Sequence, residues 1–160
     1  MTASELLKLT TAMAEAADAD AAFAAVAAAA NTFIGHRLFS IMAFDAGAMR
    51  VQRLYSSDTA AYPVGGWKEK RDTQWGRHVL EEGRPFVGYN ADDIRANFDD
   101  HRHIHELGLE SILNIPVRLL GTTIGTMNLL HQAEYYDPTD IECGLIIAGQ
   151  LVGPLCVGAR

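Results

Sequence analysis

The hydrophobic pattern changes period twice along this chain. At the N-terminus, Leu6, Leu9, Met13 and Ala16 recur at spacings of three and four, one face of a helix opened by the Thr2-x-x-Glu5 capping box. Asp18 and Asp20 interrupt that face and can cap a second helix, which carries Phe23, Val26, Ala30 and Phe33 and ends at Gly35. Its alanine run favours helix and lets neighbours approach closely. Residues 37–45 are then apolar on both parities, which predicts a strand covered on both faces. After the Asp45-Ala46-Gly47 turn a second strand runs over 49–56, and Arg50, Gln52 and Arg53 place it at a sheet edge. Residues 57–71 read as a loop around Pro63, Gly65-Gly66 and Trp67. Asp72 or Thr73 caps a short helix that Gly83 closes, and Pro85 to Gly88 form a short strand. Residues 90–108 are polar, with helical pieces around Ile94 and Ile104 and a stop at Gly108.

The clearest alternation lies in residues 111–136, SILNIPVRLLGTTIGTMNLLHQAEYY, which predict two strands joined by a tight Gly-containing turn. Asp137 as N-cap and Pro138 at the first helical position then start a long apolar helix toward the C-terminus. Strands joined by tight turns pair antiparallel. The expected fold is α+β: a central, mostly antiparallel sheet of five or six strands. Helices bracket it at both ends, and no internal repeat or linker divides the 160 residues. One domain over 1–160 is therefore expected, with its core at about 18–153 and helix 2–17 serving packing or dimerisation.

The end of this pattern resembles a GAF domain, a small-molecule-sensing module. In that family the penultimate strand typically ends in an apolar residue plus Pro, as Ile115-Pro116 do, and the last strand carries Ile-Gly and alternating apolar residues, as in Ile124-Gly125-Thr126-Met127-Asn128-Leu129. The resemblance implies terminal helices on one sheet face and a helical and loop roof over a pocket on the other. Cyclic-nucleotide-binding members carry Asn-Lys-Phe-Asp-Glu in the roof. Asn90, Phe98, Asp99 and Asp100 only echo it, so that ligand is not carried over. Phytochrome-like members attach a bilin through a roof cysteine, and residues 1–142 contain none. The free methionine-(R)-sulfoxide reductases of the family need nucleophilic and resolving cysteines around the pocket. Cys143 and Cys156 instead fall on the terminal helix, so this chemistry is not expected.

Strand alternation selects the pocket side. Leu113, Ile115 and Val117 share a face, as do Met127 and Leu129; Ile112 and Asn114, with Thr126, Asn128 and Leu130, share the other. If residues 119 and 123 flank the turn, Asn114 lies directly across from Asn128. Asparagine is poorly suited to a strand interior, so the two amides either bond each other or meet a ligand. Thr126 joins them, and Ser40 and Met42 share the face if the parity of the first strand allows. In the roof, Trp75, His78 and Val79 fall at helical spacing, either as a core plug or as a lining for a polar ligand. Tyr62, Trp67, Phe86 and Tyr89 can add apolar wall. His101 and His105 are one helical turn apart, around His103; they form a solvated face, meet an anionic ligand, or hold a metal whose third ligand is undefined. The ligand-binding set expected is Trp75, His78, Asn114, Asn128, Thr126, Tyr89, His101 and His105, with no catalytic residue, metal or cofactor.

Composition adds exclusions. A formal net charge of −7 with no run of Lys or Arg argues against nucleic-acid binding. No apolar stretch is long enough to span a bilayer and the N-terminus has no basic n-region, so a cytoplasmic location is expected. The two cysteines are expected as free thiols. Ile141, Leu145, Ala148, Val152 and Leu155, with the face of the first helix, suggest a homodimer through the terminal helices. Pro154 and the Gly158-Ala159-Arg160 end suggest no continuing output helix, hence a separate effector. The sequence thus reads as a sensory module for a small organic molecule or anion. The alternatives are a small-metabolite enzyme using His78 or a histidine of 101–105, and an interaction module without ligand. For the sensor, Asn128→Leu should abolish ligand stabilisation and leave the fold intact.

Overall fold

The computed structural model describes residues 1–158. The expectation attached to the Gly158-Ala159-Arg160 end therefore falls partly outside the described residues. Helix α1 (Ala3–Glu15) opens with the full capping box between Thr2 and Glu5, and α2 (Ala19–Phe33) opens with the Asp18 carboxylate accepting the Ala21 N–H at 2.8 Å. Strands β1 (Leu38–Asp45), β2 (Arg50–Ser56) and β3 (Gly65–Glu69) follow, then a helical turn Gly76–Glu81 and β4 (Phe86–Gly88). Helices α3 (Ala91–Asn97) and α4 (His101–Glu106) precede the hairpin of β5 (Ser111–Leu119) and β6 (Thr122–His131), and α5 (Thr139–Gly149) and α6 (Val152–Gly158) close the chain.

The six strands form one antiparallel sheet in the order β3-β2-β1-β6-β5-β4. Helices α2, α5 and α6 cover one face, where Phe23, Val26, Ile147 and Leu151 pack on Phe39, Ile41, Ile115, Met127 and Leu129. On the opposite face, two smaller apolar clusters hold the roof made by the Gly76–Glu81 turn, α3 and α4. The faces assigned from alternation in β5 and β6 are those observed, and Asn114 pairs with Asn128.

Several local expectations change. The strand over 50–56 is not at the edge; β3 is, inside the region read as a loop. Gly-Gly-Trp-Lys-Glu has no apolar alternation and all five residues are exposed, so no periodicity announced it. Residues 76–81 form a π-helical turn, with Glu82 N–H bonded to Arg77 O five residues back at 2.9 Å. The terminal helix is two helices, bent by 49° between α5 and α6, and begins at Thr139; Asp137 still caps it, accepting the Thr139 N–H at 2.7 Å. Of the face that suggested a partner, Ala148 and Leu155 are buried inward with Gly144, Ile147 and Leu151, while Leu145 is exposed with Ile146. Gly144 decides this, since a side chain there would run into Ile115. No single helix among the described residues is long and apolar enough to cross a membrane.

The β5–β6 connection is a two-residue turn, Leu120-Gly121, with φ of 50° and 82°. Positive φ at both positions matches the twist of a hairpin. Leu119 therefore faces Thr122, not residue 123 as expected, and a bulge at Ile124 restores the register that places Asn114 beside Asn128.

Candidate functional site

Between the sheet and the roof lies a cavity of about 290 Å³. Its floor is built from three strands in register. Leu38, Leu130 and Ile112 form an apolar row across β1, β6 and β5, and Ser40, Asn128 and Asn114 form a polar row beside it. Trp75, at the start of the roof turn, closes the cavity from above, and Phe98 packs against its ring at 5.8 Å.

The polar row is a connected network. Trp75 Nε1 donates to Asn114 Oδ1 at 3.0 Å, and Asn114 Nδ2 donates to Asn128 Oδ1 at 2.8 Å. Asn128 Nδ2 in turn donates to Ser40 Oγ at 3.3 Å and Thr126 Oγ1 at 3.1 Å. Both readings of the amides meet here: they bond each other, and they line the cavity. Trp75 offers a ligand its ring, not its N–H. One N–H of Asn114 and the Ser40 hydroxyl proton remain for further bonding.

This network changes the expected outcome of Asn128→Leu. Removing the central amide strands Asn114 Nδ2 and the Thr126 and Ser40 hydroxyls, against which leucine recovers some apolar burial. The variant should lose about 1 kcal/mol of stability, read by urea denaturation, besides any ligand response. Wild-type stability would show that the network contributes nothing net.

The other expected site residues are placed elsewhere. Thr126 sits buried beside Asn128 and is not part of the cavity lining. His78 lies outside it, its Nε2 2.9 Å from Pro85 O, because a π turn is wider than the α-helical spacing that put it with Trp75. Tyr89 is an exposed residue on the connection after β4. His101 lies at the outer surface of the roof, and His105 faces Glu110 at 3.6 Å. His103 is held by Ala61 O at 2.9 Å. Among the described residues, no group of three or more His, Cys, Asp or Glu side chains is arranged to hold a metal ion.

The residues missed from sequence are cationic. Arg53 of β2 and Lys70, just after β3, both line the cavity. The Arg53 guanidinium lies over the Tyr62 ring at 4.7 Å and donates to Pro63 O at 3.2 Å, while Tyr62 Oη donates to Asp100 Oδ2 at 2.7 Å. Burial, then the bond to Asp100, raises the Tyr62 pKa. Lys70 Nζ sits 5.1 Å from the centre of the Trp75 ring, and burial pulls its pKa down to about 8. A β-bulge places Arg53 here. Ile41 faces Tyr55 and Met42 faces Arg53, so Leu54 is an extra residue, and Leu54 and Tyr55 both turn to the helix-side core. Strict alternation carried through residue 54 would instead send Arg53 to the opposite face. The signal that could have found it was the pair of adjacent apolar residues after a charged one.

A family model described as GAF domain matches residues 16–152. The chain belongs to the GAF domain family. Its fold is shared with the GAF domain of an Acinetobacter phosphoenolpyruvate-protein phosphotransferase, at 16% identity and TM-score 0.76, covering 100% of both chains. The corresponding GAF domain from Coxiella burnetii gives 16% and 0.73, covering 98% of this chain and 96% of that one. That of a two-component sensor histidine kinase from Bacillus halodurans gives 12% and 0.67, covering 86% and 92%. No match was found among curated protein sequences. At these identities the structural likeness shows the GAF fold, a module that occurs in sensory and regulatory proteins, and leaves the occupant of the cavity to the chemistry of this chain.

Proposed function

We propose that this GAF domain is a regulatory module that binds a small organic molecule in the roofed cavity and passes the binding event to a partner, either a second copy or a separate effector. One observation carries the reading: the buried Trp75–Asn114–Asn128–Ser40 network floors and closes a cavity of about 290 Å³. Ligand pockets span about 300–1,000 Å³ and combine apolar walls with a few placed polar groups, so this one suits a ligand at the small end. The enzyme alternative draws less support, because His78, His101 and His105 are all outside the lining. Leu7 on α1, and separately Leu145 and Ile146 on α5, are exposed apolar side chains available to a second copy. Native mass spectrometry of gently purified protein tests both parts. A dimer mass with a small molecule bound is expected. A protein that never carries or takes up a small molecule would sink the sensor reading, and a monomer at all concentrations would sink the dimer.

A further inference from the structure

Three cations, Arg53, Lys68 and Lys70, and one carboxylate, Asp100, line the cavity; Lys68 pairs with Asp99, which leaves two cations against one carboxylate. Neither Arg53 nor Lys70 forms an ion pair among the described residues. Asp99 pairs with Lys68, and Asp100 accepts the Tyr62 hydroxyl; Asp100 favours both cations by its charge but makes no ion pair with either. Arg53 Nε is shielded from solvent and has no hydrogen-bond partner, the one buried side-chain polar atom so placed among the described residues. Burial depresses the Arg53 pKa, and burial, then the Lys68 charge, depresses that of Lys70, with a smaller contribution from Arg53. Across from Arg53 the partner strand supplies Gly65, with Gly66 as an extra residue, and open space lies where a side chain on either would be. Placing two cations without an ion pair in a mostly apolar cavity, against the single carboxylate of Asp100, costs stability, and an entering anion offsets that cost. This arrangement stands out in a chain whose formal net charge is −7.

The lining also has a direction. Arg53 and Lys70 stand on the β2–β3 side, while Leu38, Ile112, Leu130 and Ile104 form an apolar end. We infer that the cavity takes a small organic anion, its carboxylate or phosphate head held between Arg53 and Lys70 and its apolar body lying over Leu38, Leu130 and Ile112. Arginine suits this role because its planar fork can bond two oxygens of one head group, whereas lysine contributes a point charge. The inference rests on the cavity being a binding site, as proposed above, and specifies the charge of its occupant.

The test uses the full chain and matched probes: phenylacetate, hexanoate and phenyl phosphate, against neutral phenylacetamide and hexanamide, by calorimetric titration. The anions are expected to bind and their neutral partners to bind about tenfold or more weakly. Arg53→Gln and Lys70→Met should each weaken anion binding by a similar factor while retaining a cooperative melt. Phenyl phosphate ahead of phenylacetate assigns a phosphate head; the reverse order assigns a carboxylate. Amides that bind as tightly as acids, or acids indifferent to both substitutions, would overturn the anion assignment and leave the cavity a binding site. Failure of every probe, charged and neutral, would overturn the binding reading itself and the anion with it.

Discussion

Lys70→Met is expected to give a more stable protein that binds phenylacetate about tenfold more weakly. The two effects share one cause. Lys70 Nζ is held against Trp75 inside the cavity, and burial, followed by the neighbouring Lys68 charge, lowers its pKa from 10.5 to about 8. Asp99 and Asp100 act in the other direction but do not restore it, and Arg53 adds to the repulsion. Methionine is apolar and of comparable length, so it keeps the packing and removes the charge. At neutral pH the gain should be about 1–2 kcal/mol, or about 2–8 °C in Tm for a chain of this size. The sign of the pH dependence is a stricter check. Below about pH 8 Lys70 is protonated in both folded and unfolded chains, and the folded state bears the whole penalty. Between about 8 and 10.5 the unfolded chain keeps a proton that the folded one has released, so wild-type stability rises with pH. The advantage of the variant should therefore shrink across that window in urea titrations. An advantage that stays constant with pH, or none at neutral pH, would mean that the ammonium is not desolvated.

Gly125→Ala should be the most damaging single methyl group in the sheet. Gly125 of β6 pairs with Ala43 of β1, and a Cβ built on it would stand 2.4 Å from Met42 O and 2.8 Å from Leu155 Cδ1. The leucine can rotate away, but the carbonyl belongs to the backbone of the central strand and cannot. Relief requires β1 and β6 to separate where they pair, or α6 to lift from the sheet. We expect a loss of about 3 kcal/mol and a fall of about 6–12 °C in Tm. Gly121→Ala, at an exposed turn position with φ of 82°, is the control: it strains the backbone but meets no atom within 4 Å. A Gly125→Ala protein as stable as that control would show that β6 accommodates the extra atom.

The part of the fold that was legible is the part where one period runs uninterrupted. Leu113, Ile115 and Val117 against Ile112 and Asn114 gave both faces of β5, as Met127 and Leu129 against Asn128 did for β6; the pairing of the two asparagines was read from a turn flanked by 119 and 123, and the shorter turn with the Ile124 bulge gives the same register. The Thr2–Glu5 and Asp18 caps were equally readable, because capping is local chemistry. What stayed hidden depends on breaks in period. Leu54 shifts β2 by one residue and turns Arg53 inward, the π turn carries His78 away from Trp75, and β3 has no apolar pattern to read. Lys70 had no sequence signal at all: in Lys68-Glu69-Lys70 it looks like one more solvated charge, and only the fold of β3 against the roof buries it. Trp75 was found, although its indole N–H serves the network instead of a ligand.

The extra residue at Leu54 also makes the sheet unequal in its tolerance of length changes. A chain lacking Leu54 could still oppose Ser40 to Ser56, Ile41 to Tyr55 and Met42 to Arg53, with an unbroken ladder and the same residues toward the cavity. The same one-residue deletion inside β1, which is paired on both sides and whose ladder with β6 is regular, would turn Phe39 toward the cavity or Ser40 into the helix-side core. Insertions and deletions among descendants of this domain should therefore gather at β2 and at the second bulge by Ile124, while β1 keeps its length.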